Sequence, residues 1–421
     1  MSTDLNLQEL DAHHCLNGGE APDAESGAPA LAEASGWRKV TDVLNKHYTN
    51  PDIEAARILC AVIASHAVKE FPPVWNLAIA PPGSMKTVLL EGFRGLPRVC
   101  FVDEITPKTF LSGKVDERGQ KRKSPASLLH RIGPDGILIA ADFSTYTADP
   151  KTLKVILAQL RRIYDGNYCR EFGTDEHLEE RNWEGRLTFL AGAVPDVDRH
   201  YSLFQSLGER FIRTRWPRAG GVKAALQAME HTDAIGAELR DSVHSLLLPI
   251  LSDPQMAPSI PAEIKHQIAN LGEFMALSRS YIERDRNTRE AVGVPVAEGN
   301  TRLPKQLCQL ARGLALLEGH SEVREEDYKL VCRAAFDSLP LARIAALKAI
   351  LEGKSPFTIG QPKATVSRAL EDLELSGVLV KSRVACQAAD TDCPRALSET
   401  ARELVTGAGL LKPEPTGALK P

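Results

Sequence analysis

The chain has 421 residues, 43% of them hydrophobic, and a formal net charge of −4. At roughly 100–200 residues per domain this suggests two to four domains with real cores, and it excludes a fibrous or wholly disordered chain. The charge is uneven: residues 1–35 hold seven acids (Asp4, Glu9, Asp11, Glu20, Asp23, Glu25, Glu33) and no Lys or Arg, so residues 36–421 stand at +3. That balance permits nucleic-acid binding without arguing for it.

The longest apolar run, 58–68, is broken by Ser65 and His66 and is too short to span a bilayer. The acids near the N-terminus stand where a signal peptide needs Lys or Arg, so a cytoplasmic chain with no membrane partner is expected. Eight cysteines are scattered with no C-x-x-C pair, which fits a reduced compartment. Cys60, Cys308 and Cys332 fall on apolar helical faces, as buried thiols do.

Residues 1–35 lack the apolar content to offset ordering entropy and read as a disordered acidic tail. Helical patterns follow over 37–47 and 51–69, with Pro51 suited to a first helical position. From 74 the pattern becomes short apolar strands (74–80, 99–102, 136–140, 186–191) separated by helices, notably 86–94 and 150–164. This alternation predicts an α/β layer with a mostly parallel sheet. After about Pro217 the strands stop. Residues 219–340 read as helices, 341–408 as a small helical unit with one hairpin, and 409–421 as a flexible tail.

The strongest motif is Ala80-Pro81-Pro82-Gly83-Ser84-Met85-Lys86-Thr87. It follows a strand and opens a helix, the context of a phosphate-binding P-loop. Loop N–H groups would surround phosphates, Lys86 would reach the β/γ-phosphates, and Thr87 would ligate Mg²⁺. Ala80 and Met85 stand where the motif has glycines, and Met85 puts a long side chain where close backbone approach is wanted. Asp142, ending the apolar stretch that starts at Gly136, has the position of a Mg²⁺-shell carboxylate. The next residue is Phe143 rather than a Glu that could polarise water, so Glu104 becomes the substitute base. Thr188 and Asp196 are candidates for a γ-phosphate sensor. In Gly208-Glu209-Arg210-Phe211, Arg210 has the place of an arginine finger reaching a neighbour's nucleotide; Arg213 and Arg215 are close alternatives.

With these pieces in order, the chain resembles AAA+ ATPases, most closely the minichromosome-maintenance-related branch and the shorter ATPases of phages and mobile elements. The resemblance covers about 36–340 and rests on 80–87, 137–142, 208–211 and a segment from Thr301 through Lys305-Gln306-Leu307 to Glu325-Glu326-Asp327-Tyr328. It implies a P-loop NTPase αβα core over 36–218, an all-α lid over 219–340, and ATP with Mg²⁺ held between subunits of a homo-oligomeric ring, usually a hexamer. It also implies that Lys305, or Arg302 one turn earlier, is a second sensor contacting the γ-phosphate.

Two segments suggest DNA as a partner. Residues 114–123 carry Lys114, Arg118, Lys121, Arg122 and Lys123 around a hairpin tip, and inserted loops of related ATPases grip phosphates in the pore. Residues 341–408 resemble a winged helix-turn-helix. Val366, Ala369, Leu370 and Leu373 form one helical face, Gly377 is a C-terminal cap, and 385–395 are a wing. Lys363, Thr365, Ser367 and Arg368 would meet the major groove. Together with these segments, the resemblance implies a ring ATPase coupling hydrolysis to DNA translocation, unwinding or initiation remodelling. The alternative is an ATP-switched DNA-binding regulator with little motor activity.

Overall fold

The computed structural model describes residues 36–412 apart from 112–126, 144–148, 175–176, 219, 230–233, 253–255, 286, 289, 294, 296, 359 and 382–394; for 172–174, 177–180 and 234 it describes the backbone alone. In chain order, α1 (Gly36–His47) and α2 (Ile53–Ala64) precede β1 (Trp75–Ile79), α3 (Lys86–Gly92), β2 (Val99–Val102), α4 (Leu128–Ile132), β3 (Asp135–Ala140) and α5 (Pro150–Tyr164). A hairpin of β4 (Asn167–Thr174) and β5 (His177–Glu184) leads to β6 (Arg186–Ala193), α6 (Tyr201–Ser206) and β7 (Phe211–Arg215). Helices α7 (Val222–Met229), α8 (Ala234–Ser252), α9 (Ala262–Ser278), α10 (Arg302–Leu317) and α11 (Glu325–Asp337) follow. The chain then runs through α12 (Leu341–Leu351), α13 (Lys363–Leu375), β8 (Leu379–Lys381), β9 (Arg395–Leu397) and α14 (Glu399–Gly407).

Five strands form one parallel sheet in the order β2-β3-β6-β1-β7. Alternate residues feed two cores, as the two-residue period of a strand requires. Trp75, Leu77, Ile79, Leu138, Phe189 and Phe211 pack with α5, α4 and α6 on one face. Ala78, Ile137, Ile139, Leu190 and Ile212 pack with α1, α2, α3 and the later helices on the other. A sheet covered on both faces explains why these strands read as apolar runs.

α2 starts two residues later than a helix opening at Pro51 would. Asp52 is the N-cap and accepts from the Ala55 N–H at 3.0 Å, leaving Pro51 just outside. The helices of 219–340 share the core of the α1–α3 face. α10 lies against α2 so closely that a Cβ on Gly313 would sit 2.2 Å from the Ala61 carbonyl oxygen, and Gln309 donates to the carbonyls of Ser65 and Val68.

β7 and the β4–β5 hairpin were not visible in the sequence pattern. β7 is an edge strand whose backbone is satisfied by side chains from α11 and the residue after it. Arg213 N–H donates to Ser338 Oγ at 3.0 Å and Arg215 N–H to Asp337 Oδ2 at 2.9 Å. Its two arginines are buried in ion pairs: Arg213 with Asp198 at 2.9 Å and Glu209 at 3.0 Å, and Arg215 with Asp198 at 2.7 Å.

In the C-terminal unit, α13 buries Val366, Ala369, Leu370 and Leu373, the face read from the sequence. Gly377 at φ +78° closes it. β8 and β9 pair antiparallel, and Arg343 and Arg284 tie α13 to the preceding helices through Asp372. Among the described residues no helix is long and apolar enough to cross a membrane.

Candidate functional site

The carboxyl ends of parallel strands are where α/β sheets bind ligands, and the 80–87 loop lies there. Ala80 N–H extends the ladder past β1 by donating to Ala193 O at 3.0 Å. Two prolines then stiffen the chain, and Gly83 turns it at φ +75°, a conformation that costs glycine little. α3 begins at Lys86 with no side-chain cap.

Lys86 turns inward: it is 6% exposed, and its Nζ donates to Ala193 O at 2.8 Å. One carbonyl of β6 therefore holds both ends of the loop. Burial pushes the Lys86 ammonium below its ordinary pKa, and the nearby Asp142 carboxylate works in the opposite direction. Asp142 itself is exposed, two residues past β3, and Thr87 is exposed on the first turn of α3. Thus Lys86, Thr87 and Asp142 occupy one edge of the sheet. Met85 is 7% exposed and packs into the core, so its side chain leaves the outer surface of the loop open.

Phe143 is fully buried. Its N–H donates to Gly192 O at 2.6 Å, and its ring packs near Phe189, Phe204 and Phe211. It anchors the Asp142 turn and offers no base. The close pass of β6 explains Gly192, where a Cβ would meet the Ala141 carbonyl oxygen at 2.4 Å. Glu104 is exposed after β2, one strand further from the Lys86 loop than Asp142.

Thr188 does not fit a sensor. It is fully buried in the first half of β6, level with Ile137, and its hydroxyl is 2.9 Å from His66 Nδ1. His66 is itself buried, with Nε2 3.3 Å from Asp135 Oδ1; Lys69 and Arg98 also bind Asp135. Asp196 stands beyond the carboxyl end of β6, half exposed and paired with Arg199 at 2.9 Å.

Arg210 and Lys305 lie elsewhere. Arg210 precedes β7, whose Phe211 is level with Trp75 while Arg215 is level with Ile79. It therefore sits on the amino edge of the sheet, roughly 20 Å along the strand from the residues beside Ala80. It is 6% exposed and donates to Gly208 O at 2.5 Å; Asp165 is 3.6 Å away. Burial first, and then the charge of Arg302, lower its pKa. Gly208, at φ +78°, makes the seat: a Cβ there would be 2.6 Å from Arg210 Nη1 and 3.8 Å from Arg302 Nη1. Arg302 Nη1 also donates to Glu209 O at 3.1 Å, and Gln306 donates to Arg210 O at 2.6 Å. Lys305 is exposed on this first turn of α10. So Arg210, Arg302 and Lys305 are brought together, and none reaches the Lys86 loop of its own chain. Arg213 and Arg215 are held by the ion pairs of β7 and are not alternatives to Arg210.

The 80–87 loop borders an open cleft of about 710 Å³, a size typical of small-molecule sites. Its walls include Tyr48, Asn50, Gly83, Met85, Trp216 and the inner face of α7. Asn50, at φ +50°, turns the α1–α2 connection along it. Sequence reasoning missed these walls; the Asn50-Pro51 and Gly220-Gly221 breaks were the available signal.

Lys363, Thr365, Ser367 and Arg368 are all exposed on α13. Residues 382–394, with most of the wing, and Lys114, Arg118, Lys121, Arg122 and Lys123 lie outside the described residues. Burial pushes the Cys60 and Cys332 thiols up to about 12, as inert core cysteines require. Among the described residues no three His, Cys, Asp or Glu side chains gather as a metal site. The sequence matches no protein-family model and no curated relative.

Proposed function

We propose that this chain is a ring-forming AAA+ ATPase acting on DNA, with ATP bound at the 80–87 loop. The observation that carries the reading is that Lys86 and Asp142 share the carboxyl edge of the parallel sheet, close enough for the carboxylate to act on the ammonium. The residues suit Mg·ATP. Lys86 supplies a buried cation, Thr87 and Asp142 supply two hard oxygen donors, and the cleft has room for a base and sugar. Mg²⁺ usually takes one or two protein oxygens and completes its shell with phosphates and water, so a dense ligand cluster is not needed. When bound, it would neutralise charge on the phosphates.

Lys86 would exchange the Ala193 carbonyl for a phosphate oxygen, and Asp142 would orient the metal's waters. Arg210 and Arg302, on the opposite edge, could serve only the nucleotide of an adjoining copy. This geometry supports a site shared between subunits, and it moves the second-sensor role of Lys305 or Arg302 to the neighbour's nucleotide. The exposed basic face of α13, in a unit resembling a winged helix, would bind duplex DNA.

The burial of Phe143 where a base would stand favours a second reading, an ATP-switched DNA-binding regulator with slow turnover. ATPase rate and particle mass, each with and without single-stranded DNA, separate the two. Strong stimulation of a ring supports the motor; nucleotide binding with negligible turnover supports the switch. Absence of any nucleotide binding would sink both.

A further inference from the structure

The residue that follows β7 is Trp216, and its place is specific. Its N–H donates to Ile79 O at 2.9 Å, which sets it beside Ala80 at the start of the 80–87 loop. The side chain is 7% exposed and lines the cleft. Among the described residues, no acceptor is within hydrogen-bond reach of its indole Nε1. A buried N–H without an acceptor is unfavourable and uncommon in folded proteins. Two of the other three buried tryptophans have a partner for the indole: Trp75 Nε1 donates to Leu187 O and Trp183 Nε1 to Gly133 O.

The α7 side of the cleft gives a second observation. None of the residues of α7 is buried, and Val222, Leu226 and Met229 are 78%, 57% and 81% exposed. Its inner face is lined by the small side chains of Ala224, Ala225 and Ala228. Two polar side chains at this wall already engage one another, Thr49 Oγ1 with Gln227 Oε1. The helix is connected to Trp216 through Gly220 and Gly221, the latter at φ +107°. The wall therefore has small side chains, a glycine joint and little packing to resist a shift.

We infer that Trp216 is the residue through which the cleft recognises the base of a bound nucleotide. Its N–H donates to a ring nitrogen of a purine, and α7 adjusts to admit the ring between itself and the indole. This rests on the reading of the 80–87 loop as the phosphate site. It adds a specificity residue that phosphate contacts cannot supply, because every nucleoside triphosphate presents the same phosphates. Trp216 acts on binding and base choice, and no step of hydrolysis passes through it.

The test compares ATP with inorganic tripolyphosphate, which carries the phosphates without the base. The wild-type chain should bind ATP more tightly than tripolyphosphate. Trp216→Phe keeps an aromatic ring and removes the donor; it should weaken ATP about tenfold, the scale of one hydrogen bond, and leave tripolyphosphate unchanged. Equal weakening of both ligands would make the role structural and overturn the inference, as would unchanged ATP affinity. Lys86→Ala should weaken both ligands; if it weakens neither, the loop reading fails and the base reading falls with it. Should Trp216→Phe not fold, the indole ¹H–¹⁵N signals of the wild-type chain decide. One must move downfield with ATP and stay in place with tripolyphosphate, and no such signal contradicts the inference.

Discussion

Lys86 donates to the carbonyl oxygen of Ala193 at 2.8 Å, the same oxygen that accepts the N–H of Ala80. The loop after the first strand is thereby closed on the neighbouring strand, and a buried cation is held where the sheet ends. That ammonium sits in surroundings that lower its pKa, which is unfavourable for folding alone and useful for meeting an anion.

Asp142→Asn should shift the Mg²⁺ dependence of nucleotide binding to higher metal concentration. The carboxylate is exposed and lies outside the packed core, so the thermal midpoint should stay close to that of the wild type. Metal affinity in the presence of ATP should fall about 10- to 100-fold, the scale seen when a metal-orienting group is removed. Titration of Mg²⁺ at fixed ATP reads this directly.

Arg210→Ala should leave ATP affinity intact and cut turnover by about 10³-fold, the scale of an arginine finger. In the proposed ring the Arg210 edge and the Lys86 edge of one chain would serve different sites, so mixing Arg210→Ala with Lys86→Ala chains should restore activity in a fraction of subunit interfaces. A mixture no more active than its components would place Arg210 outside the reaction.

Duplex DNA binding should depend on α13. Lys363→Ala and Arg368→Ala together should weaken it and reduce the slope of log affinity against log salt by about 2, roughly one for each phosphate no longer neutralised. ATP affinity should not change. An unchanged salt slope would assign the exposed basic face to another partner.

His66 makes folding acid-sensitive. Burial first, and then the charge of Arg186, hold its imidazole at about 3, against the opposing pull of Asp135. The unfolded chain takes up a proton below about pH 6.5 that the folded chain refuses. This stability is therefore fully present above pH 6.5 and is lost as pH falls toward 3. Between pH 7 and 4.5 the wild type should lose roughly 2–3 kcal/mol through this group. His66→Gln should start less stable and fall by that much less. Urea unfolding at the two pH values measures the difference.

Much of this arrangement could be read from local pattern. The strands that face two apolar layers are continuous runs of Val, Ile, Leu and Ala, and α13 announced its face through Val366, Ala369, Leu370 and Leu373. β7 stayed hidden because Phe211-Ile212-Arg213-Thr214-Arg215 looks like a surface segment. Its arginines are buried only because Asp198, Glu209 and Asp337 meet them, and two of those come from other elements. The β4–β5 hairpin stayed hidden for a similar reason, since its strands are rich in charge. Spacing suggested Lys86 and Asp142 as a pair but could not say on which edge Lys305 would fall. That depends on α10 crossing α2, a crossing set by Gly313 and Ala61 far apart in sequence. The doubt attached to Met85 also concerned direction: its side chain enters the core, and the loop surface stays free.

On the proposed reading, the 80–87 loop holds a triphosphate through Lys86. Calorimetric titration of Mg·ATP into the wild-type chain and Lys86→Met measures it most directly, with thermal unfolding of both chains as the control. Methionine keeps the buried stem and removes the disfavoured charge, so the thermal midpoint should not fall. Affinity should drop at least about 100-fold, ~3 kcal/mol, when the charge-assisted hydrogen bond to phosphate is removed. A folded Lys86→Met chain that binds Mg·ATP as tightly as the wild type would contradict the account.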